Sequence, residues 1–90
     1  MCFQESGQIR HEDYELDENI VWQVNTNCTN VEIKSAAFAI EDGWDFLRIE
    51  DETYTGNDVI DQQVPANFEV TFTSDEMITD TGFILDWNCI

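Results

Sequence analysis

The sequence predicts an all-β fold, an antiparallel sandwich of two sheets of the jelly-roll type. Apolar and polar residues alternate with a period of two in four segments, 31–35, 45–50, 68–73 and 83–87, which is the pattern of strands that bury one face. Clusters of turn-forming residues separate these segments, and no stretch shows the 3.6-residue repeat with caps that indicates a helix. Short strands joined by regular turns are typical of a β-sandwich.

Taken in order, the first strand is the apolar run "IVWQV" at 20–24, and the next is 31–40. The alternation slips by one residue inside the second strand, which predicts a β-bulge near Ser35-Ala36. Turns are expected at "NTNCTN", "EDG", "YTGND", "VPAN" and "SDEMITDTG". The residues expected to lie mainly inside the sandwich are Trp22, Phe38, Leu47, Ile49, Val70, Phe72, Phe83 and Leu85.

The size and charge of the chain restrict its partners. Ninety residues with 42% hydrophobic content predict one small domain, residues 1–90. Twenty acidic residues against three basic ones give a net charge of −17. Such a surface repels nucleic acid and anionic lipid, so partners should be basic surfaces or metal cations. No apolar run approaches the roughly 18 residues of a membrane span, and no secretory signal is expected within the chain.

Three cysteines, Cys2, Cys28 and Cys89, show no CxxC spacing. Together with the single histidine, His11, they do not match a zinc site. One disulfide with one leftover thiol is the expected arrangement, and the sequence alone permits three pairings. Asn27 begins the sequon Asn-Cys-Thr, a possible glycosylation site if the protein is secreted by a eukaryotic cell.

An acidic stretch lies at the edge of the expected core. Glu41, Asp42 and Asp45 fall within five residues, and their carboxylates repel one another and resist burial. With so few basic residues in the chain, solvent or a cation must compensate them. Catalysis is not expected, because a sandwich of this size has little room for a cleft and His11 has no visible nucleophilic partner.

A calcium loop of the EF-hand type is also not expected. The segment 51–62, "DETYTGNDVIDQ", has Asp51 at its first position and a glycine at its sixth. It lacks acids at the third and fifth positions, has Gln62 where a bidentate Glu is needed, and has no flanking helices.

Landmarks along the chain follow the order of one known family. Cys2, Ser6-Gly7 and Ile9 open the sequence, and Tyr14 and Trp22 follow in a turn and a strand. A long strand then ends in Ile40-Glu41, and an aromatic-Asp pair opens the next segment, "WDFLRIED". In the last segment, "FEVTFTSDEMITDTGFILDW", one strand closes in Ser-Asp, and Gly-Phe then begins the final strand. Nearly the whole chain thus resembles a CUB domain of the calcium-binding type, an extracellular β-sandwich, with the size of a single-domain spermadhesin.

The cysteines depart from this resemblance. Ile20 replaces the second cysteine of the family, and the third and fourth are absent near Asp42–Gly43 and Val59. The family's disulfide pattern therefore does not carry over. In the family, the loop at Ser74-Asp75 lies at the same end of the sandwich as Glu41. The last strand leaves this loop and therefore finishes at the opposite end, where strand 31–40 begins beside Cys28. The resemblance thus implies a Cys28–Cys89 bridge, with Cys2 free or joined to another chain.

The resemblance also implies one calcium ion. Its ligands would be Glu41, Asp45 and Asp75, with backbone oxygens near Glu76 and Met77 and with Tyr14 bracing Glu41. Calcium takes six to eight hard oxygen ligands in flexible geometry, and carboxylates that converge from two loops supply them. Asp42 and Asp80 are turn residues that could contribute to the site or to a second, weak one.

The expected function is therefore an extracellular, calcium-binding interaction module whose acidic loops engage Lys or Arg side chains of a protein partner. An alternative is a structural building block of an extracellular assembly, joined through calcium or Cys2. The size of the protein with and without calcium, under oxidising and reducing conditions, distinguishes the two.

Overall fold

The structure is a computed structural model that describes residues 6–90, and all regular elements in this range are strands. They are β1 (Ser6–Glu12), β2 (Asn19–Ala39), β3 (Phe46–Ile49), β4 (Glu52–Tyr54), β5 (Asp61–Thr73) and β6 (Gly82–Cys89). Every pairing is antiparallel, in the order β1-β6-β2-β5-β3-β4. The predicted all-β, antiparallel fold is confirmed, whereas β1 and β4 were not recognised from the alternation.

Two layers arise because β2 and β5 are long enough to take part in both. Residues 31–39 of β2 pair with β6, and residues 19–25 pair with 67–73 of β5, which in turn pairs with β3. The Phe83 ring of β6 packs against the Phe72 ring of β5 with centroids 5.2 Å apart. Phe83 pairs with Phe38 and Phe72 pairs with Ile20, at opposite ends of β2, so this contact joins the faces of two layers.

The turns predicted at "NTNCTN" and "VPAN" are wrong. Both segments lie within continuous strands, and the pairing of β2 with β5 changes register between Asn25 and Asn30. Pro65 of β5 lies opposite Asn30 at this irregularity, where the missing N–H of a proline is tolerated. Residues that favour turns also suit a bulge between two layers. The bulge predicted near Ser35-Ala36 is confirmed by a register shift between Ser35 and Ala37.

The core fills the space between the layers. Of the residues expected inside, Trp22 and Phe38 are only partly buried and pack against the core, while the other six are fully buried. Glycine is required where β1 meets β6, because a Cβ on Gly82 would lie 2.1 Å from the carbonyl oxygen of His11. The close approach of β1 to β6 therefore depends on this residue.

The two ends of the sandwich differ. A disulfide joins Cys28 of β2 to Cys89 of β6, with their Cα atoms 5.3 Å apart, and Asn27 beside it is exposed. Cys2 lies outside the described residues. At the opposite end Ala39 pairs with Gly82, so the loops that follow β2 and precede β6 emerge there. No helix in the range 6–90 has the length and hydropathy needed to cross a membrane.

Candidate metal centre

Three carboxylates meet at the end of the sandwich away from the disulfide. Glu41 follows β2, Asp45 precedes β3 and Asp75 follows β5. One carboxylate oxygen from each residue lies within 4.8 Å of the others. Antiparallel pairing places these loops together, because Phe46 at the start of β3 pairs with Thr73 at the end of β5. We call Glu41, Asp45 and Asp75 the carboxylate cluster.

Asp45 is the centre of the hydrogen bonding in this cluster. Its side chain is fully buried. Oδ1 accepts the backbone N–H of Asp75 at 2.9 Å, and Oδ2 accepts the Tyr14 hydroxyl and the N–H of Glu41. Three donors make a buried carboxylate tolerable. Because each carboxylate oxygen has two lone pairs, Oδ2 is fully engaged by its two donors, whereas Oδ1, with one donor, retains capacity to bind a cation.

Tyr14 connects the loop after β1 to the cluster. It is buried, and its hydroxyl donates to Asp45 and accepts the Glu41 N–H at 3.2 Å. The resemblance implied that Tyr14 braces Glu41; the structure shows contact with the backbone of Glu41 and with the side chain of Asp45. Burial and the hydrogen bond with Asp45 raise the pKa of Tyr14, so the hydroxyl remains protonated and available as a donor.

Thr55, in the turn between β4 and β5, forms hydrogen bonds with the loop that carries Asp45. This role was not recognised from the sequence. Its hydroxyl donates to the Asp45 carbonyl oxygen at 2.8 Å and accepts the Gly43 N–H at 2.9 Å. The N–H of Ile40 donates to the Gly56 carbonyl oxygen at 3.0 Å. The cluster of turn-forming residues "YTGND" was the available signal, but the sequence did not show which loop it would contact.

Glu41 is the member of the cluster whose charge is least compensated. Among the described side chains, its Oε1 is a buried polar atom without a hydrogen-bond partner. Burial, contact with Asp75 and the charges of Asp75 and Asp45 together raise the pKa of Glu41. A buried acceptor without a partner is unfavourable in a folded protein. A cation at the cluster would therefore be favoured electrostatically.

The donor atoms indicate which cation fits. All three side chains offer oxygen, without the sulfur or nitrogen that zinc prefers. Calcium–oxygen distances of about 2.3–2.6 Å allow two ligands of one ion to lie up to ~5 Å apart. The 4.8 Å limit on the three oxygens satisfies this condition. One calcium ion therefore fits the cluster as it stands.

The remaining acidic residues near the site do not join the cluster. Asp42 and Asp80 are exposed and lie with Asp58 along a neighbouring cavity of about 600 Å³. Glu76 and Met77 are exposed next to Asp75, and the Met77 N–H donates to Asp75 Oδ1 at 3.2 Å. Sequence reasoning thus identified the three residues that the fold brings together, while the expected backbone ligands near Glu76 and Met77 remain a prediction.

No family model and no curated protein matches the sequence, but solved structures match the fold. The MASP-1 CUB2 domain bound to Ca²⁺ is similar at 16% identity and a TM-score of 0.81, over 98% of this chain and 96% of that one. The CUB1-EGF-CUB2 domains of rat MASP-1 match at 19% identity and a TM-score of 0.78, over 97% of this chain and 41% of that one.

A larger protein contains a similar unit. The full extracellular region of zebrafish Gpr126/Adgrg6 matches at 17% identity and a TM-score of 0.83. The match covers 97% of this chain but only 14% of the zebrafish chain. The similarity therefore concerns one domain within that protein, and at such identities it establishes a shared fold.

Proposed function

From the CUB-like fold of the chain and its carboxylate cluster, we propose that the protein is a calcium-binding, extracellular protein-interaction module. The observation that carries the proposal is the convergence of three carboxylates around a buried Glu41 oxygen that has no hydrogen-bond partner among residues 6–90. The MASP-1 CUB2 domain bound to Ca²⁺ supports it, because a fold of this kind is there bound to the same ion. Residues 1–90 act as a single module.

Glu41, Asp45 and Asp75 bind the ion, backbone oxygens near Glu76 and Met77 add to the coordination, and Tyr14 holds Asp45 in place. Calcium supplies the positive charge that the cluster lacks. Because its ligands come from the loop at 40–45 and the loop at 74–81, one ion crosslinks both loops. It also relieves part of the self-repulsion of a chain with a net charge of −17.

The partner provides Lys or Arg side chains, which the acidic loops engage. The chain itself has few cations to offer, and all three are paired with acids: Arg10 with Glu12, Lys34 with Glu32, and Arg48 with Asp51. The carboxylates around the site are thus available to bind a basic group of another protein. Binding of this kind depends on charge and weakens as salt is added.

An extracellular setting agrees with the disulfide between Cys28 and Cys89, because such bridges persist in oxidising compartments. In such a setting we expect a dissociation constant for calcium of about 0.1–1 mM, the range of extracellular calcium modules. The module has a binding role and no catalytic one.

The test is a calcium titration, monitored by isothermal titration calorimetry and by thermal unfolding. We expect one ion per chain and a stabilisation on the order of 0.5–2 kcal/mol at ~1–2 mM calcium, equivalent to several degrees in Tm. Asp75→Ala should abolish this shift. Glu69→Ala removes an exposed carboxylate from β5 and should preserve it. An equal shift with magnesium at the same ionic strength would show general screening and would contradict the proposal.

The same samples separate the interaction module from a structural building block. Sedimentation velocity is measured with calcium and with EDTA, under oxidising and reducing conditions. A monomer in all four conditions is the expected result. Oligomers that require calcium, or that dissociate on reduction and thus implicate Cys2, would favour the building block.

A further inference from the structure

The surface beside the carboxylate cluster is apolar. A cavity of about 450 Å³ adjoins Glu41 and Asp75, and it is also lined by Trp44, Met77 and Ile78. These three large side chains are all solvent-exposed, Trp44 to 67% and Met77 to 72%. Exposed apolar side chains that lie together, instead of being scattered singly, are a feature of interaction surfaces. We call Trp44, Met77 and Ile78 the apolar rim.

The apolar rim lies on the same two loops as the carboxylate cluster. Trp44 directly precedes Asp45, and its N–H donates to the Glu41 carbonyl oxygen at 3.4 Å. On the other loop, the Met77 N–H donates to Asp75 Oδ1 at 3.2 Å. An ion that fixes Asp45 and Asp75 therefore also fixes the positions of the rim residues.

We propose that the apolar rim binds a large hydrophobic side chain that flanks the basic residue of the partner, so that the ligand is a polypeptide segment with adjacent basic and hydrophobic residues. The proposal rests on the proposed function, because the basic residue is the one that engages the acidic loops. It adds a second point of recognition, made by side chains that bind no metal.

Charge complementarity selects this chemistry. Glu41, Asp75 and Glu76 line the cavity together with the rim, so a hydrophobic group enters most favourably when a cation accompanies it. The aliphatic stem of a Lys or Arg can cover apolar surface while its charged head reaches the carboxylates. An indole such as that of Trp44 is also the aromatic group that cations prefer.

A second copy of this chain is a poor occupant. It carries the same net charge of −17 and only three basic residues. Each of these already forms an ion pair with an acid of its own chain. Two copies that met through their carboxylate clusters would add like charge at close range, which costs free energy. The occupant is therefore a different, basic protein.

Three blocked pentapeptides test the inference: GLKLG, GSKSG and GLQLG, each titrated into the calcium-loaded protein and followed by NMR chemical shifts. GLKLG is expected to bind about tenfold tighter than GSKSG, equivalent to about 1.4 kcal/mol, and tighter than GLQLG by at least as much. Trp44→Ala should remove the difference between GLKLG and GSKSG. Ile90→Ala should not, since Ile90 is exposed at the disulfide end, where its N–H donates to Asn30.

The outcomes separate this inference from the proposed function. If GSKSG binds only with calcium and the leucines add nothing, the inference is overturned and the proposed function stands. If neither lysine peptide binds, both fail. Equal binding of GLQLG and GLKLG would show an apolar site without charge selection, which also overturns the inference.

Two further measurements test whether Trp44→Ala acts indirectly and whether the site binds a second copy of the chain. Should Trp44→Ala disturb calcium binding, Ile78→Ser tests the rim from the other loop and is expected to remove the same tenfold difference. Sedimentation velocity of the calcium-loaded protein tests for a second copy at the site. A dimer that Trp44→Ala dissociates would overturn the inference in favour of self-association.

Discussion

The buried carboxylate of Asp45 accepts the backbone N–H of Asp75 through Oδ1 at 2.9 Å, so one member of the carboxylate cluster positions the loop that carries another. The two residues contribute differently to the hydrogen bonding of the fold. Within residues 6–90, Asp45 is fully buried and accepts three hydrogen bonds, whereas the Asp75 side chain accepts one, from the Met77 N–H.

This difference predicts that two substitutions affect stability differently when calcium is removed with EDTA. Asp45→Ala should lower the free energy of unfolding by about 3–5 kcal/mol, because buried donors that lose their acceptor cost about 1–3 kcal/mol each. Asp75→Asn should leave it unchanged or raise it, because the like charges facing Glu41 are reduced. Urea unfolding measures both. Equal losses in the two variants would contradict the assigned roles.

The Tyr14 hydroxyl should matter to both stability and calcium affinity. Tyr14→Phe removes the donor to Asp45 and the acceptor for the Glu41 N–H, and we expect a loss of about 1–3 kcal/mol with several-fold weaker calcium binding. Tyr54→Phe is the matched control, since that hydroxyl donates to Gln62 at 2.7 Å. The control should lose some stability but keep its calcium affinity in calorimetry. If both variants bound calcium like the parent protein, Tyr14 would have no positioning role.

The disulfide should stabilise the fold without influencing the metal site. Replacing Cys28 and Cys89 by serine opens a loop with a sequence separation of 61 residues, for which the chain-entropy model gives at most about 4 kcal/mol. The seven steps of β6 from Cys89 to Gly82 span roughly 23 Å, so calcium should add the same increment of stability as in the parent protein. Thermal unfolding with and without calcium measures this. A folded variant that calcium failed to stabilise would contradict the separation of the two ends.

Acid should destabilise the protein partly through Glu18. Burial alone would raise its pKa, but the hydrogen bonds from His11 at 2.8 Å and from the Glu15 N–H at 2.7 Å lower it below the ordinary value of 4.5. A lowered pKa in the folded state gives stability that is present above pH ~4.5 and is lost as the pH falls through the folded-state value.

In EDTA, the parent protein should therefore lose more stability than Glu18→Gln between pH 6 and pH 3. Glu69→Gln changes the net charge by the same amount at an exposed position and should follow the parent protein. Denaturant unfolding across this range is the measurement. Parallel curves for the parent and Glu18→Gln would refute the contribution of the His11–Glu18 contact.

Local patterns were sufficient to predict several features of this protein. The alternation of apolar and polar residues predicted the strands around Leu47, Phe72 and Phe83, because one face of each strand must be buried whatever its neighbours are. The slip at Ser35-Ala36 predicted a bulge for the same reason. The resemblance of the ordered landmarks to CUB domains identified Glu41, Asp45 and Asp75 as a group.

Other features were decided only by tertiary structure. Residues 25–30 favour turns locally, yet they lie within β2 because the strand passes from one layer to the other. Nothing near Thr55 in the sequence indicates that its hydroxyl donates to the Asp45 carbonyl oxygen. Likewise, nothing near Trp44 indicates that it belongs to an apolar rim beside Asp75. Contacts between loops distant in sequence depend on which strand ends the fold brings together, and a local pattern carries no information about that.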